Sequence, residues 1–280
     1  MKKILLAIDA IHPDKYALDF ACFLGRLTKS PVTGIFLENE VAEERPIIKQ
    51  MHGLLYVSRE IDRSSPAYRE KQALIEKNIA WFKDATCNRE VSCQLHRDHG
   101  LPAKELIKES RFADVLVVDA ETSFNRQYEG MPTEFVKDVL KKAECPVIIS
   151  PGGQFESIEE IVLAFDGTAS SVFAIRQFTY LFPQLHTKKL TILHFSKKGE
   201  PDNTDKEKLD NWLKAYYDYV GYEEKKGDAE TGLYEALYNK PNILLVMGAY
   251  GRNAISTLLK PSPANLLIRI LPHPIFITHL

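Results

Sequence analysis

"KKILLAIDA", residues 2–10, returns in altered form as "EEIVLAFDG", residues 159–167. Each is a short aliphatic run that ends on an aspartate, Asp9 in the first copy and Asp166 in the second. Outward from this pair, "VTGIFL" from Val32 matches "LTILHF" from Leu190 at nearly the same offset. "ADVLVVD", ending at Asp119, matches "NILLVMG", ending at Gly248, and "CPVIIS" and "HPIFIT" close the two copies. Four strand-like runs in the same order mark the duplication of a unit of roughly 125 to 150 residues.

Helical patterns lie between the runs. "DKYALDFACFLGRLTK" places Ala17, Phe20, Ala21, Leu24 and Leu27 on one helix face, and "SSVFAIRQFTYLF" repeats this through Phe173, Ile175, Phe178 and Leu181. Further helices are predicted at 68–85, 101–110, 134–143, 205–220, 229–239 and 263–271. The strands are continuous apolar runs, as when helices cover both faces of a sheet. The alternation predicts an α/β fold of two tandem doubly wound, Rossmann-like domains, each a mostly parallel five-stranded sheet flanked by helices. Their expected bounds are 1–152 and 156–280, with the turn-rich stretch "SPGGQFES" at 150–157 as the seam. Residues 39–67 fit no element and read as a loop-rich insertion.

The totals narrow the function. A chain of 280 residues with 45% hydrophobic and 26% charged residues is of globular composition and long enough for two domains. Its 36 basic residues nearly balance 38 acidic ones, so no net field attracts a polyanion, which argues against nucleic acid. No apolar run is long enough for a bilayer. The opening "MKKILLAIDA" is cut short by Asp9 and lacks a small-residue cleavage pattern, so it reads as a buried strand and the protein as cytoplasmic. Cys22, Cys87, Cys93 and Cys145 form no CxxC pair and read as reduced thiols, most of them buried, rather than metal ligands or disulfides. "HRDHG", with His96 and His99, reads as a surface or loop cluster, and no HExxH or GxSxG motif assigns a metal ligand or a catalytic residue. In "WLKAYYDYVGY", residues 212–222, Trp212, Tyr216 and Tyr219 share a helix face suited to packing on a sheet.

Ligands of open parallel sheets sit beyond the carboxyl ends of the strands, near the switch in strand order. Asp9, Asp119, Asp166 and Gly248 all end strands and are candidate walls of such a crevice. After Gly248, which has no Cβ, comes Gly251, able to take positive φ; Ser262 and Pro263 then read as N-cap and first helical residue, followed by Ala264. Two readings fit this spacing: a cradle of backbone N–H groups for a phosphate, or an ordinary turn and a capped helix.

"VMGAYGR" followed by Ser262 resembles the nucleotide loop of the universal stress protein family, Gly-x2-Gly-x9-Gly-(Ser/Thr). "VLAFDG", with Asp166, is similar to that family's opening, and the whole chain is similar to its tandem form. The resemblance implies an adenine-nucleotide alpha-hydrolase-like fold and a stress-response role. It also implies bound ATP (or ADP or AMP), with Mg accompanying the triphosphate, and at most slow hydrolysis. Carried over, it nominates Asp166 and Gly167 near the adenosine and Gly248, Gly251 and Ser262 at the phosphates, with Pro263 and Ala264 at the helix start. Arg252 and Asn253 are nominated by position alone.

The chain departs from that motif in two places. Pro261 replaces the third glycine and has no N–H to give, a loss of about 1.5–3 kcal/mol if that group meets a phosphate. In the first half the frame becomes Asp119, Thr122, Pro132 and Thr133. A carboxylate about 5 Å from a phosphate charge is repelled by about 3 kcal/mol at an effective dielectric near 20, so this half is expected to hold no triphosphate. Two other readings stay open: a nucleotide-free scaffold acting through protein contacts, and an enzyme of adenylate chemistry. The tandem chain is a candidate covalent pseudo-dimer, with further self-association expected through its closing edge strands.

Overall fold

The two aspartate-terminated runs each become the first strand of a half-sheet. In the computed structural model, which describes residues 1–40, 44–52, 54–125, 128–196, 204–227, 229–248 and 271–278, the first half runs as follows. Strand β1 (Ile4–Asp9) is followed by α1 (Lys15–Thr28), β2 (Val32–Asn39), β3 (Arg45–Met51), β4 (Leu54–Glu60) and α2 (Pro66–Cys87). Then come β5 (Cys93–Gly100), α3 (Pro102–Ser110), β6 (Val115–Val118), α4 (Glu134–Lys142) and β7 (Val147–Ile149). The second half consists of β8 (Glu160–Phe165), α5 (Ala169–Leu181), β9 (Lys189–Ser196), α6 (Thr204–Leu213), β10 (Tyr219–Lys226), α7 (Ala229–Leu237), β11 (Ile243–Gly248) and β12 (Ile275–Thr278).

Ten strands form one sheet in the order β10-β9-β8-β11-β12-β7-β6-β1-β2-β5. Within each half all pairings are parallel, and each half shows the same order of its own strands: third, second, first, fourth, fifth. The duplication read from the sequence is therefore a duplication of topology. The halves join by one antiparallel pairing, β7 with β12, in which Ile149, Ile148 and Val147 face Ile275, Phe276 and Ile277. Both closing strands are consequently interior, and the edges of the sheet are β5 and β10. Self-association through the closing strands has no free edge to use.

Alternation along each strand divides the core between the two faces. Ile4, Leu6 and Ile8 of β1 pack with residues of α1 and α2, while Leu5 and Ala7 pack with those of α3 and α4. The second half repeats the arrangement, with Ile161, Leu163 and Phe165 on the α5 side and Val162 and Ala164 on the α7 side. The turn-rich seam is pinned rather than loose: Phe155 sets its ring edge-on against Phe20 and Phe23 of α1, with centroids 5.1 and 5.2 Å away. Cys22 and Cys145 are buried, Cys93 is half-buried and Cys87 exposed. Burial pushes the Cys22 thiol up to about 11 and the Cys145 thiol up to about 12, so both stay protonated at neutral pH. Among the described residues no helix is long and apolar enough to cross a membrane.

Three expectations need correction. The third main-sheet strand of each half escaped the apolar-run criterion, because an edge strand has only one neighbour: "CQLHRDHG" and "YVGYEEKK" are polar and only partly buried. His96 and His99 lie exposed on edge strand β5, so of the two readings the surface holds and the loop does not. The helix expected to reach residue 220 ends at Leu213, and Tyr219 begins β10 instead of sharing a helix face with Trp212. Residues 39–67 hold the antiparallel hairpin β3–β4 and the capped start of α2, where Tyr68 N–H donates to the Ser65 hydroxyl at 3.2 Å. Of the helix predicted at 263–271, all but Leu271 lies outside the described residues.

Phe276, fully buried on the strand that joins the halves, stacks edge-on against Phe178 at 5.2 Å and Phe182 at 6.3 Å. Phe276→Ala is expected to lower unfolding free energy by about 3–5 kcal/mol in denaturant titration, through lost burial and a residual cavity.

Candidate functional site

In the second half the switch in strand order falls between β8 and β11. Asp166 and Gly167 follow β8, and Thr168 caps α5 by accepting the Ser171 N–H at 3.3 Å. Gly167 adopts φ +78°, a conformation costly for any residue with a Cβ, which lets the chain leave the strand and enter the helix within three residues. Asp166 Oδ1 holds this turn by accepting the Thr168 N–H at 3.0 Å and the Thr168 hydroxyl at 2.7 Å. The outcome is a helix N-terminus, the positive end of the helix dipole, positioned at the carboxyl end of the sheet.

Gly248 closes the other side. A Cβ there would lie 2.5 Å from the carbonyl carbon of Ser170, 2.6 Å from its oxygen and 2.7 Å from the Ser171 nitrogen. The first turn of α5 therefore sits directly on the end of β11, and helix packing by itself requires glycine at this position. Gly251, Arg252, Asn253, Pro261, Ser262, Pro263 and Ala264 lie outside the described residues.

Beside the Asp166 turn lies a cleft of about 660 Å³, lined by Gly167, Thr168, Arg176, Tyr180, Lys208 and Trp212 among others. Trp212 lies tilted against Tyr216 with ring centroids 4.6 Å apart and edge-on to Tyr180 at 6.2 Å, so its indole is held in place by aromatic neighbours. Two cations and an aromatic wall beside a helix N-terminus suit an anionic ligand with a flat ring. Arg176 and Lys208 were not singled out from the sequence. The one available signal was the spacing of Thr168, Val172, Arg176 and Tyr180 at every fourth residue, which aligns them along α5.

The equivalent place in the first half has different chemistry. Asp9 Oδ1 accepts the Ile11 N–H at 2.8 Å, a turn-holding role like that of Asp166. Asp119 occupies the position of Gly248, and Glu121 N–H donates to its Oδ2 at 2.8 Å. Burial, helped by the nearby charge of Asp14, pushes the Asp119 carboxyl up to about 6. Thr133, the counterpart of Ser262, is buried; its hydroxyl donates to the Thr122 carbonyl and accepts the Val136 N–H at 3.3 Å. That hydroxyl is engaged by the protein on both counts.

A second polar cluster lies at the end of β2. The Glu38 side chain is fully buried, with Arg97 Nε at 2.6 Å and Lys71 Nζ at 3.0 Å from its oxygens. Burial pushes its carboxyl up, but these two cations outweigh burial and hold it below the usual carboxylate range. Glu38, Glu40 and His99 bring potential metal-ligating atoms together, as do His96, Asp98 and Glu109. The cations already facing both oxygens of Glu38 oppose a metal ion in the first group.

No family model matches the chain, and no curated protein matches its sequence. Among solved structures it is similar to a universal stress protein from Archaeoglobus fulgidus, with a TM-score of 0.70 and 17% identity over 99% of this chain and 98% of that one. It is also similar to a functionally unknown protein from Pseudomonas aeruginosa, with a TM-score of 0.59 and 14% identity over 100% of this chain and 92% of that one. A third, assigned as a universal stress protein and also from Pseudomonas aeruginosa, matches with a TM-score of 0.58 and 15% identity over 100% and 93% of the two chains. At such identities the likeness is one of fold, and it spans both halves. The duplicated, doubly wound architecture is thus the one found in these structures.

Two measurements test the local geometry. Between the ordinary 3.8 and about 6 the folded state binds more protons at Asp119 than the unfolded chain, so stability falls as pH rises through that window. Asp119→Asn is expected to be more stable than the parent by about 2 kcal/mol above this window and equal to it below, read from denaturant titrations at both ends. Gly248→Ala is expected to cost about 1–3 kcal/mol by forcing α5 away from β11, whether or not nucleotide is present.

Proposed function

We propose that the chain is a cytoplasmic tandem universal stress protein whose C-terminal half holds an adenine nucleotide. ATP is the favoured ligand, with ADP and AMP as relatives and Mg accompanying a triphosphate. The protein acts in this reading as a stress-response binding or regulatory protein rather than an efficient catalyst. The observation that carries it is the contrast between the two switch points. The C-terminal one offers a helix N-terminus, Arg176 and Lys208 beside Trp212; the N-terminal one offers Asp119, Asp14 and an already engaged Thr133. A polyanion is attracted by the first set and repelled by the second.

In this reading Asp166 and Gly167 shape the adenosine side. Gly248, Gly251 and Ser262 would contribute to the phosphate side, with Arg252, Asn253, Pro263 and Ala264 as neighbours. The cleft volume lies within the roughly 300–1,000 Å³ range of small-ligand sites. Loss of one backbone N–H at Pro261 weakens binding about tenfold to a hundredfold without abolishing it. A nucleotide-free scaffold is the second reading, favoured by Gly248, whose missing Cβ is explained by α5 alone.

Mass spectrometry of the supernatant released by heating the purified protein is expected to show adenine nucleotide. Millimolar Mg-ATP is expected to raise the melting temperature, and Arg176→Ala combined with Lys208→Ala to weaken binding about tenfold or more. Neither nucleotide in the supernatant nor a shift with the parent protein would establish the scaffold instead.

A further inference from the structure

Edge strand β5 divides the stretch "HRDHG" between its two faces. Side chains alternate along a strand, so Arg97 and His99 turn towards Glu38, while His96 and Asp98 turn to the opposite face, beneath α3. Glu109, in the last turn of α3, joins them there: one ligating atom from each of His96, Asp98 and Glu109 lies within 4.8 Å of the other two. His96 Nε2 and Asp98 Oδ1 are 3.1 Å apart. Atoms held about 2.0–2.2 Å from one shared ion lie about 3.0–3.6 Å from each other, from octahedral to tetrahedral geometry. The His96–Asp98 pair thus already has the spacing of a coordination edge, and the 4.8 Å bound leaves at most about 1–2 Å for Glu109 to close.

Two buried polar groups on this face lack the partners their burial demands. Asp98 Oδ2 is buried and has no hydrogen-bond partner among the described residues, so the contact with His96 satisfies half of this carboxylate. Thr33 is 5% exposed, and its hydroxyl is likewise without a partner among the described residues. It directs that hydroxyl to the face of Leu5, Ile35 and α3, and it pairs with Gln94, two residues before His96 on the same side of β5. A buried carboxylate oxygen and a buried hydroxyl left unpaired both cost free energy, and a cation with its bound water relieves both. The helix adds to this demand. Glu109 sits at the carboxyl end of α3, where the dipole is negative and opposes a carboxylate, and Lys3 approaches it at 3.9 Å, the far limit of an ion pair.

We propose that His96, Asp98 and Glu109 bind a divalent cation of the zinc type, which ties the edge strand to the last turn of α3. The donor set decides the class. One imidazole with two carboxylates suits a first-row transition ion, whereas calcium and magnesium are held by oxygen ligands throughout. The half-exposed ring of His96 leaves an open side where water completes the coordination. Charge separates this face from the other one. Glu38 is already neutralised by Arg97 and Lys71, whereas the carboxylates of Asp98 and Glu109 face Lys3 at long range. The site belongs to the first half and does not depend on the nucleotide reading of the second.

The test is zinc alone, titrated calorimetrically into the chelator-treated full chain. The parent is expected to bind it with a micromolar or tighter dissociation constant and to melt at a higher temperature in its presence. His96→Ala and Asp98→Asn are each expected to weaken binding at least about tenfold, while His99→Ala, on the opposite face, leaves it within about twofold. Anomalous diffraction at the zinc edge, from crystals of the parent, needs no variant. It is expected to place the ion about 2.0–2.2 Å from His96 Nε2 and from one carboxylate oxygen each of Asp98 and Glu109. No binding at about 100 µM free zinc, binding that both variants retain in full, an ion found only at other residues, or equally tight binding of magnesium would each overturn the proposal.

Discussion

The antiparallel pairing of β7 with β12 is the contact on which the rest of the molecule depends. Each half is a parallel sheet, and without the other half its closing strand would expose a row of unpaired N–H and C=O groups beside a strongly apolar face. Three residue pairs remove both edges at once and carry Ile148 and Phe276 into a continuous core. The pairing also has a geometric consequence. Strands run one way in the first half and the opposite way in the second, so the two crevices open at opposite ends of the sheet. Among the described residues each draws its lining from its own half, so a change of chemistry in one leaves the geometry of the other intact.

Such independence lets the duplicated unit keep its scaffold while its ends diverge. Asp9 and Asp166 persist at corresponding positions, and in both cases the carboxylate accepts the backbone N–H two residues on. The aspartate is thus required by the turn that ends the strand, with or without a ligand. What differs is the neighbouring strand end. Gly248 admits the backbone of α5, whereas Asp119 introduces a partly buried carboxyl, and Thr133, the cap of α4, is bonded back to the loop at Thr122. A glycine after a strand in such a fold therefore has two explanations, close helix packing and ligand approach. The distances around Gly248 establish the first of them.

Periodicity alone determined four strands of each half in their chain order, the parallel doubly wound class and the duplication. Buried strands and two-sided helices impose unambiguous apolar patterns, which is why "KKILLAIDA" and "EEIVLAFDG" still match residue for residue in character. The same criterion was blind where burial is one-sided. Edge strands β5 and β10 are too polar to register, and the β3–β4 hairpin buries little against the body of its own chain, so its pattern had no core to report on. The tertiary structure decided these elements because edge pairing depends on backbone hydrogen bonds, which every sequence carries equally. It also decided the cleft: Gly167, Arg176, Lys208 and Trp212 come from a turn and two helices, and only the packing of α6 beside α5 brings the two charges and the ring to one place.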